Sequence, residues 1–297
     1  MPRAPLGQHF LRDADVLRTI VVALEVAAGD TIVEIGAGHG ELTREVRVVS
    51  KRVGDVKIIA IEKDAALASH SGLRELSGVE IVQGDVREIL PHLISSLATH
   101  HSQLVYKLVG NIPYYLTGFL LRLISELRPL PVHTVLTMQK EVAERICAQP
   151  PRMSPVRDRE GLKRPSASNG MNQLAASVQF WAKPKIVRII PRSAFVPPPK
   201  VTSAVITLEA HVGAAGTRVD ADTYYAAVHA LFRQPRKTVL NNITHATHLP
   251  KSEVAAALQQ LEIGSTARPQ NLSLAQISGL ALCFAFPRTK SSYKVGA

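Results

Sequence analysis

Only two cysteines occur in 297 residues, and Cys147 and Cys283 lie too far apart in sequence to outline a disulfide framework, so a reducing compartment is expected. No apolar run reaches the ~18 residues that a membrane-spanning helix needs, so no membrane association is expected. The opening stretch MPRAPLGQHF holds no apolar signal-peptide core, which points away from secretion. Acidic residues are the scarcer charge: 24 Asp and Glu face 35 Lys and Arg, for a net charge of +11. Such an excess favours a polyanionic partner, nucleic acid above all. The rest of the composition, 46% apolar and 20% charged, is that of a globular chain of one large or two ordinary domains. No internal repeat is visible.

Residues 31 to about 140 alternate short β-rich runs with helical stretches. TIVEIGA, KIIAIEKD, VEIVQGDV, LVYKLVGN and HTVLTMQK are nearly continuous apolar segments, as expected of strands covered on both faces in a mostly parallel sheet. Between them, ELTREVRVV and LTGFLLRLISEL carry helical periodicity, with Leu116, Leu120, Leu123 and Leu127 on one face. The pattern predicts a doubly wound α/β sheet. SVQFWA, KIVRIIP and SAVITLEA follow without room for long helices and are expected to add antiparallel strands. Residues 149–170, with four prolines and five Arg or Lys, read as a disordered basic loop. VGAAGT (212–217) reads as a linker, beyond which four helical patterns predict a small all-α domain ending in a frayed basic tail. The expected domains are 1–211 and 218–297.

VEIGAGHGELT follows the first of these strands and opens a helix. Gly36, Gly38 and Gly40 let backbone approach a ligand with no Cβ in the way. Their spacing is G-x-G-x-G, not the G-x-G-x-x-G of dinucleotide sites, and no GxxxxGK[ST] phosphate loop is present. Glu62 ends the second strand, where a carboxylate accepts from ribose hydroxyls. Asp85 ends the third, where a carboxylate can accept from an adenine amine. With no phosphate clamp, the ligand expected is S-adenosylmethionine, and Glu34 beside the loop is expected to face its ammonium or sulfonium group.

NIPYY (111–115) stands at the exit of the fourth strand. An adenine N6 amine is a poor nucleophile because its lone pair is delocalised into the ring. Two acceptors near its hydrogens favour a pyramidal nitrogen and stabilise the charge that develops on attack. The Asn111 oxygen can be one. The Ile112 carbonyl can be the other, since Pro113 biases Ile112 towards extended geometry and removes a competing N–H. Tyr114 offers a face on which the base can stack. Tyr115 is expected to pack, with no chemical role.

With LGQHFL, IEKD, MQKEVAERI, SAFVPPPKVTSAV and FRQPRKTVLNN added in this order, the chain resembles the ribosomal RNA adenine N6,N6-dimethyltransferases that act on small-subunit 16S RNA. The resemblance runs from about residue 6 to 284 and implies a Rossmann-like S-adenosylmethionine-dependent methyltransferase sheet followed by a small C-terminal all-α domain. It implies dimethylation of two adjacent adenines near the 3′ end of small-subunit rRNA, in a pre-30S particle, by a cytoplasmic monomer that uses no metal. Asn111, Pro113 and Tyr114 would be catalytic. Gln8, His9, Leu11, Gly36, Gly38, Glu62, Lys63, Asp85, Val86 and Asn111 would hold the cofactor. Tyr114 and Phe195 would sandwich the target base, and Arg233, Arg236 and Lys237 would grip RNA. The rivals are a large-subunit adenine methylase of the macrolide-resistance type, against which FRQPRKTVLNN argues, and a non-catalytic RNA- or DNA-binding factor on the same fold.

Overall fold

The apolar runs between glycine turns become the strands of one seven-stranded sheet. The structure, a computed structural model, describes residues 8–100, 104–151, 170–211 and 219–287. The chain divides into two compact units, one from Met1–Glu144 and Ala182–Val212 and one from Arg145–Trp181 and Gly213–Ala297. In chain order the elements are β1 (Phe10–Leu11), α1 (Ala14–Leu24), β2 (Thr31–Ile35), α2 (Glu41–Val53), β3 (Lys57–Glu62), α3 (Ala65–Ala68), α4 (Ser71–Arg74), β4 (Val79–Gln83), α5 (Val86–His100), β5 (Tyr106–Asn111), α6 (Thr117–Glu126), β6 (His133–Gln139), α7 (Lys140–Ile146), α8 (Gln173–Gln179), β7 (Ala182–Ile190), β8 (Phe195–Val196) and β9 (Ser203–Ala210). Four helices follow: α9 (Ala221–Phe232), α10 (Val239–Thr247), α11 (Lys251–Gln260) and α12 (Leu274–Cys283).

The sheet order is β4-β3-β2-β5-β6-β9-β7, parallel from β4 to β6 and antiparallel at β9 and β7. From β2 the chain winds outward to β4, then returns to β5 and winds the other way. The switch point therefore falls between β2 and β5, where open α/β sheets bind ligands beyond the strand C-termini. Gly110 makes this join tight, since a Cβ there would lie 2.7 Å from the Ile35 carbonyl. Helix α1 starts on an Asp13 cap that accepts from the N–H groups of Asp15 and Val16. Its Val16, Ile20 and Leu24 face pack with Ile32, Val109, Val135 and Val205 in one core. β7 takes an edge position, as a strand with Pro184 and a bulge between Ile186 and Arg188 can.

The opposite, N-terminal edge of the strands is closed by a buried ion pair. Lys107 Nζ lies 2.8 Å from Asp30 Oδ2 and donates to the Glu25 carbonyl at 2.5 Å.

Two expectations need correction. SVQFWA is not a strand: Ser177 to Gln179 end α8, whose N-cap Asn172 accepts from Ala175 N–H, and only Ala182 enters β7. The apolar run misleads because it serves helix packing. Ala175 and Ala176 join the core formed with α9 to α12, and Phe180 packs against it, stacking on Tyr224 with ring centroids 3.9 Å apart. For the same reason residues 1–211 are not one unbroken unit, since Arg145–Trp181 groups with the C-terminal helices. Nearly all of the 149–170 segment, the 212–217 linker and most of the basic tail lie outside the described residues.

Candidate active site

A cavity of about 460 Å³ opens at the C-terminal ends of β2, β3, β4 and β5. This size suits a nucleoside-sized ligand. Its wall includes Gln8, His9, Gly36, Gly38, Glu62, Lys63, Asp85, Val86, Asn111, Pro113, Tyr114 and Phe195. Four sheet ends, the segment before β1 and Phe195 on β8 thus bring together residues spread over the first two thirds of the chain.

The glycine loop between β2 and α2 is left-handed at Gly36, Gly38 and Gly40, with φ of 73°, 58° and 88°. A Cβ on Gly38 would meet the Phe10 ring at 3.2 Å, so the glycine also lets β1 lie against the loop. Glu62 holds the loop from below: its Oε2 accepts from Gly38 N–H at 2.8 Å and its Oε1 from Asp64 N–H at 2.9 Å. Each oxygen keeps a second lone pair, so a carboxylate that shapes the loop can also accept from vicinal hydroxyls.

Asp85 is more heavily committed. Arg87 Nε reaches its Oδ1 at 2.9 Å, Arg87 Nη2 its Oδ2 at 2.6 Å, and Lys63 Nζ the same Oδ2 at 3.0 Å. The Arg87 hydrogen bonds, with help from Lys63 and against partial burial, hold the carboxyl well below the usual carboxylate range. An amine donor at Asp85 therefore competes with Arg87, a partner the sequence reading did not weigh.

The Asn111 amide has a defined orientation. Its Nδ2 donates to the His9 carbonyl at 2.9 Å, and since a carbonyl only accepts, this fixes which end is nitrogen. Thr137, fully buried on β6, then donates its hydroxyl proton to Asn111 Oδ1 at 2.5 Å. One lone pair of Oδ1 remains. His9 is itself held by its Nδ1, which donates to the Pro197 carbonyl at 2.7 Å. The contact between His9 and Asn111 runs through the His9 backbone, so it does not depend on the imidazole. Tyr114 stands in a 3₁₀ turn, Tyr114–Leu116, after an extended Pro113. Its hydroxyl lies 2.5 Å from the Oγ of fully buried Ser203 on β9, and its ring centroid is 5.8 Å from that of His9. Burial raises the phenol pKa, partly offset by Ser203.

Four expectations change. Leu11 does not line the cavity: pairing of β1 with β8 sets it opposite Phe195, and its side chain packs into the α1 core. Phe195 touches the wall but is only 2% exposed and belongs to the same core, so in this arrangement Tyr114, not Phe195, offers the free aromatic face. Glu34 sits inside β2 at 1% exposure, away from the wall. Desolvation, opposed by Thr43 and reinforced by Glu62 and Glu41, raises its pKa to about 8, so at neutral pH it is a neutral acid, not a counter-ion. Tyr115, expected to pack, is exposed and lines the cavity. Arg233, Arg236 and Lys237 belong to the second unit, exposed at the end of α9 and in the turn before α10. Among the described residues no cluster of His, Cys, Asp and Glu could hold a metal ion, and no helix is long and apolar enough to cross a membrane.

Thr137, Ser203 and Arg87 were missed. The first two left a weak signal, being hydroxyls in the largely apolar runs HTVLTMQ and SAVITLEA, and a buried polar group is the informative exception in a strand.

Comparison with known proteins agrees with this geometry. The chain is 30% identical over 282 residues to the ribosomal RNA small subunit methyltransferase A of Dehalococcoides mccartyi (strain ATCC BAA-2266 / KCTC 15142 / 195), covering 95% of this chain and 88% of the relative. It is 32% identical over 284 residues to the protein of the same name from Moorella thermoacetica, covering 95% and 92%. The structure of a dimethyladenosine transferase from Plasmodium falciparum superposes with a TM-score of 0.69 at 23% identity, covering 94% of this chain and all of that one, which shows a common fold. The family model for ribosomal RNA adenine dimethylase matches residues 2–285, and the chain belongs to that family.

Proposed function

We infer that this protein transfers methyl groups from S-adenosylmethionine to adenine N6 in small-subunit rRNA, and that it dimethylates two adjacent adenines near the 3′ end. The observation that carries the reading is the Asn111 amide. Its nitrogen is spent on the His9 carbonyl, and its oxygen keeps one lone pair at the cavity wall beside Pro113 and Tyr114. The residues fit the cofactor. The left-handed glycine loop leaves room for backbone contact, the Glu62 oxygens each keep a lone pair for ribose hydroxyls, and no cation clamps a phosphate within the loop. S-adenosylmethionine supplies the methyl group on an already activated sulfonium, so no strong base is needed before transfer.

Asn111 Oδ1 accepts one amine hydrogen and the Ile112 carbonyl the other, which localises the nitrogen lone pair and stabilises its growing positive charge. Tyr114 aligns the base by stacking, and alignment of a bound acceptor supplies much of the rate. The adenine must leave its helix to be reached. Arg233, Arg236 and Lys237 contribute sequence-independent phosphate contacts. The relatives' names favour small-subunit over large-subunit RNA. The working form is a monomer in the cytoplasm on a pre-30S particle. The test is to incubate undermethylated small subunits with the protein and labelled S-adenosylmethionine and to map the product by mass spectrometry. Two dimethyladenosines near the 3′ end are expected; absence of label from small-subunit RNA, with label appearing when large-subunit RNA is supplied instead, would overturn the reading.

A further inference from the structure

Tyr114 and Tyr115 are neighbours with opposite fates. In a 3₁₀ turn successive side chains diverge by about 120°. Tyr114 turns inward to Ser203, while Tyr115 is 73% exposed and still lines the cavity, so its ring stands at the mouth. Among the described residues, the other large apolar side chains left exposed are Val, Ile and Leu, and Tyr115 is the aromatic one. A lone exposed tyrosine is ordinary on a protein surface. One fixed to the rim of the substrate cavity is placed to act on whatever enters. Two cations share that rim. Lys63 and Arg87 both pair with Asp85, and Glu62 and Asp64 line the same wall, yet both cation side chains stay half or more exposed, and Arg87 lies near Tyr115.

An aromatic face next to a cation pair matches a single-stranded nucleotide, whose base stacks and whose phosphate needs a counter-charge. We propose that Tyr115 is the stacking platform for the nucleobase adjacent to the target adenine, with Arg87 and Lys63 facing the phosphate between them. The proposal rests on the methyltransferase reading above and adds a second nucleotide subsite to it. The stacked neighbour holds the strand open and in register while the target base enters, and stacking is tolerant of base identity.

The test compares Tyr115→Ala and Tyr115→Phe with the wild type on undermethylated small subunits. Because the side chain is exposed, both variants should keep the wild-type melting temperature and affinity for S-adenosylmethionine. The alanine variant should raise KM for the subunit on the order of tenfold, the effect of losing one base stack, with little change in kcat. The phenylalanine variant keeps the ring and should keep the wild-type KM. An unchanged KM in the alanine variant, or an equal loss in both variants, overturns the platform and leaves the methyltransferase reading standing. Absence of transfer by the wild type would instead remove that reading and the platform with it.

Discussion

The two ends of the parallel strands carry buried polar groups to opposite purposes. At the N-terminal edge, the Lys107 ammonium meets the Asp30 carboxylate and the Glu25 carbonyl, and the cluster is closed by the protein alone. At the C-terminal edge, Glu62 and Asn111 are also hydrogen-bonded internally, yet each keeps a lone pair at the cavity wall. The lesson is that a site is not a set of unsatisfied groups. It is a set of groups held by enough internal bonds to fix their direction, with one acceptor position left over.

The comparison is broken most severely at the closed edge. Lys107→Ala leaves Asp30 as a buried carboxylate without its cation and should cost ~3–5 kcal/mol in chemical denaturation, with S-adenosylmethionine affinity unchanged in the folded fraction. Next comes Asn111→Ala at the open edge. Removing a charge-stabilising acceptor should cut single-turnover transfer by roughly 10²–10³ with RNA binding retained; transfer at the wild-type rate would refute the role of Asn111. Glu62→Ala should weaken S-adenosylmethionine by about 1.5–3 kcal/mol in calorimetry, since it removes charged acceptors and the anchor of the Gly38 turn. Thr137→Val sharpens the comparison by taking away only the bond that aims Asn111. Transfer should slow by about tenfold, near the worth of one hydrogen bond, with cofactor affinity unchanged and Thr137→Ser restoring the rate.

The last effect depends on pH and concerns Glu34. Its carboxyl rises from the usual 4.5 to about 8 on folding. Below pH 4.5 both states hold the proton. Between pH 4.5 and about 8 the unfolded chain has released it while the folded protein keeps it, so this group's contribution to stability falls as pH rises and levels off above 8. Glu34→Gln, neutral throughout, should therefore gain on the wild type across that window. The expected shift is ~2–4 °C in melting temperature for each kcal/mol. A difference that is flat with pH would show that the carboxyl is ionised in the folded protein.

The central sheet could be read in the sequence because buried parallel strands are uniformly apolar, and such runs end in the glycine and acidic residues that binding requires. The four C-terminal helices were equally readable. SVQFWA was misread because a short apolar run has no period of its own. Its Phe180 packs against a helix core whose partners, Tyr224 among them, come some forty or more positions later.

Local pattern thus determined the α/β architecture, the glycine loop and the position of Glu62, Asp85 and Asn111 at strand ends, since strand length and alternation are short-range properties. Tertiary structure alone decided what each polar group is free to do. Phe195 and Leu11 are drawn into the core by the pairing of β1 with β8, where Leu11 faces Phe195 from 184 positions away along the chain. Glu34 is neutralised by burial, Asp85 is claimed by Arg87, and Asn111 is aimed by Thr137. Desolvation and hydrogen-bond direction depend on neighbours that only folding supplies.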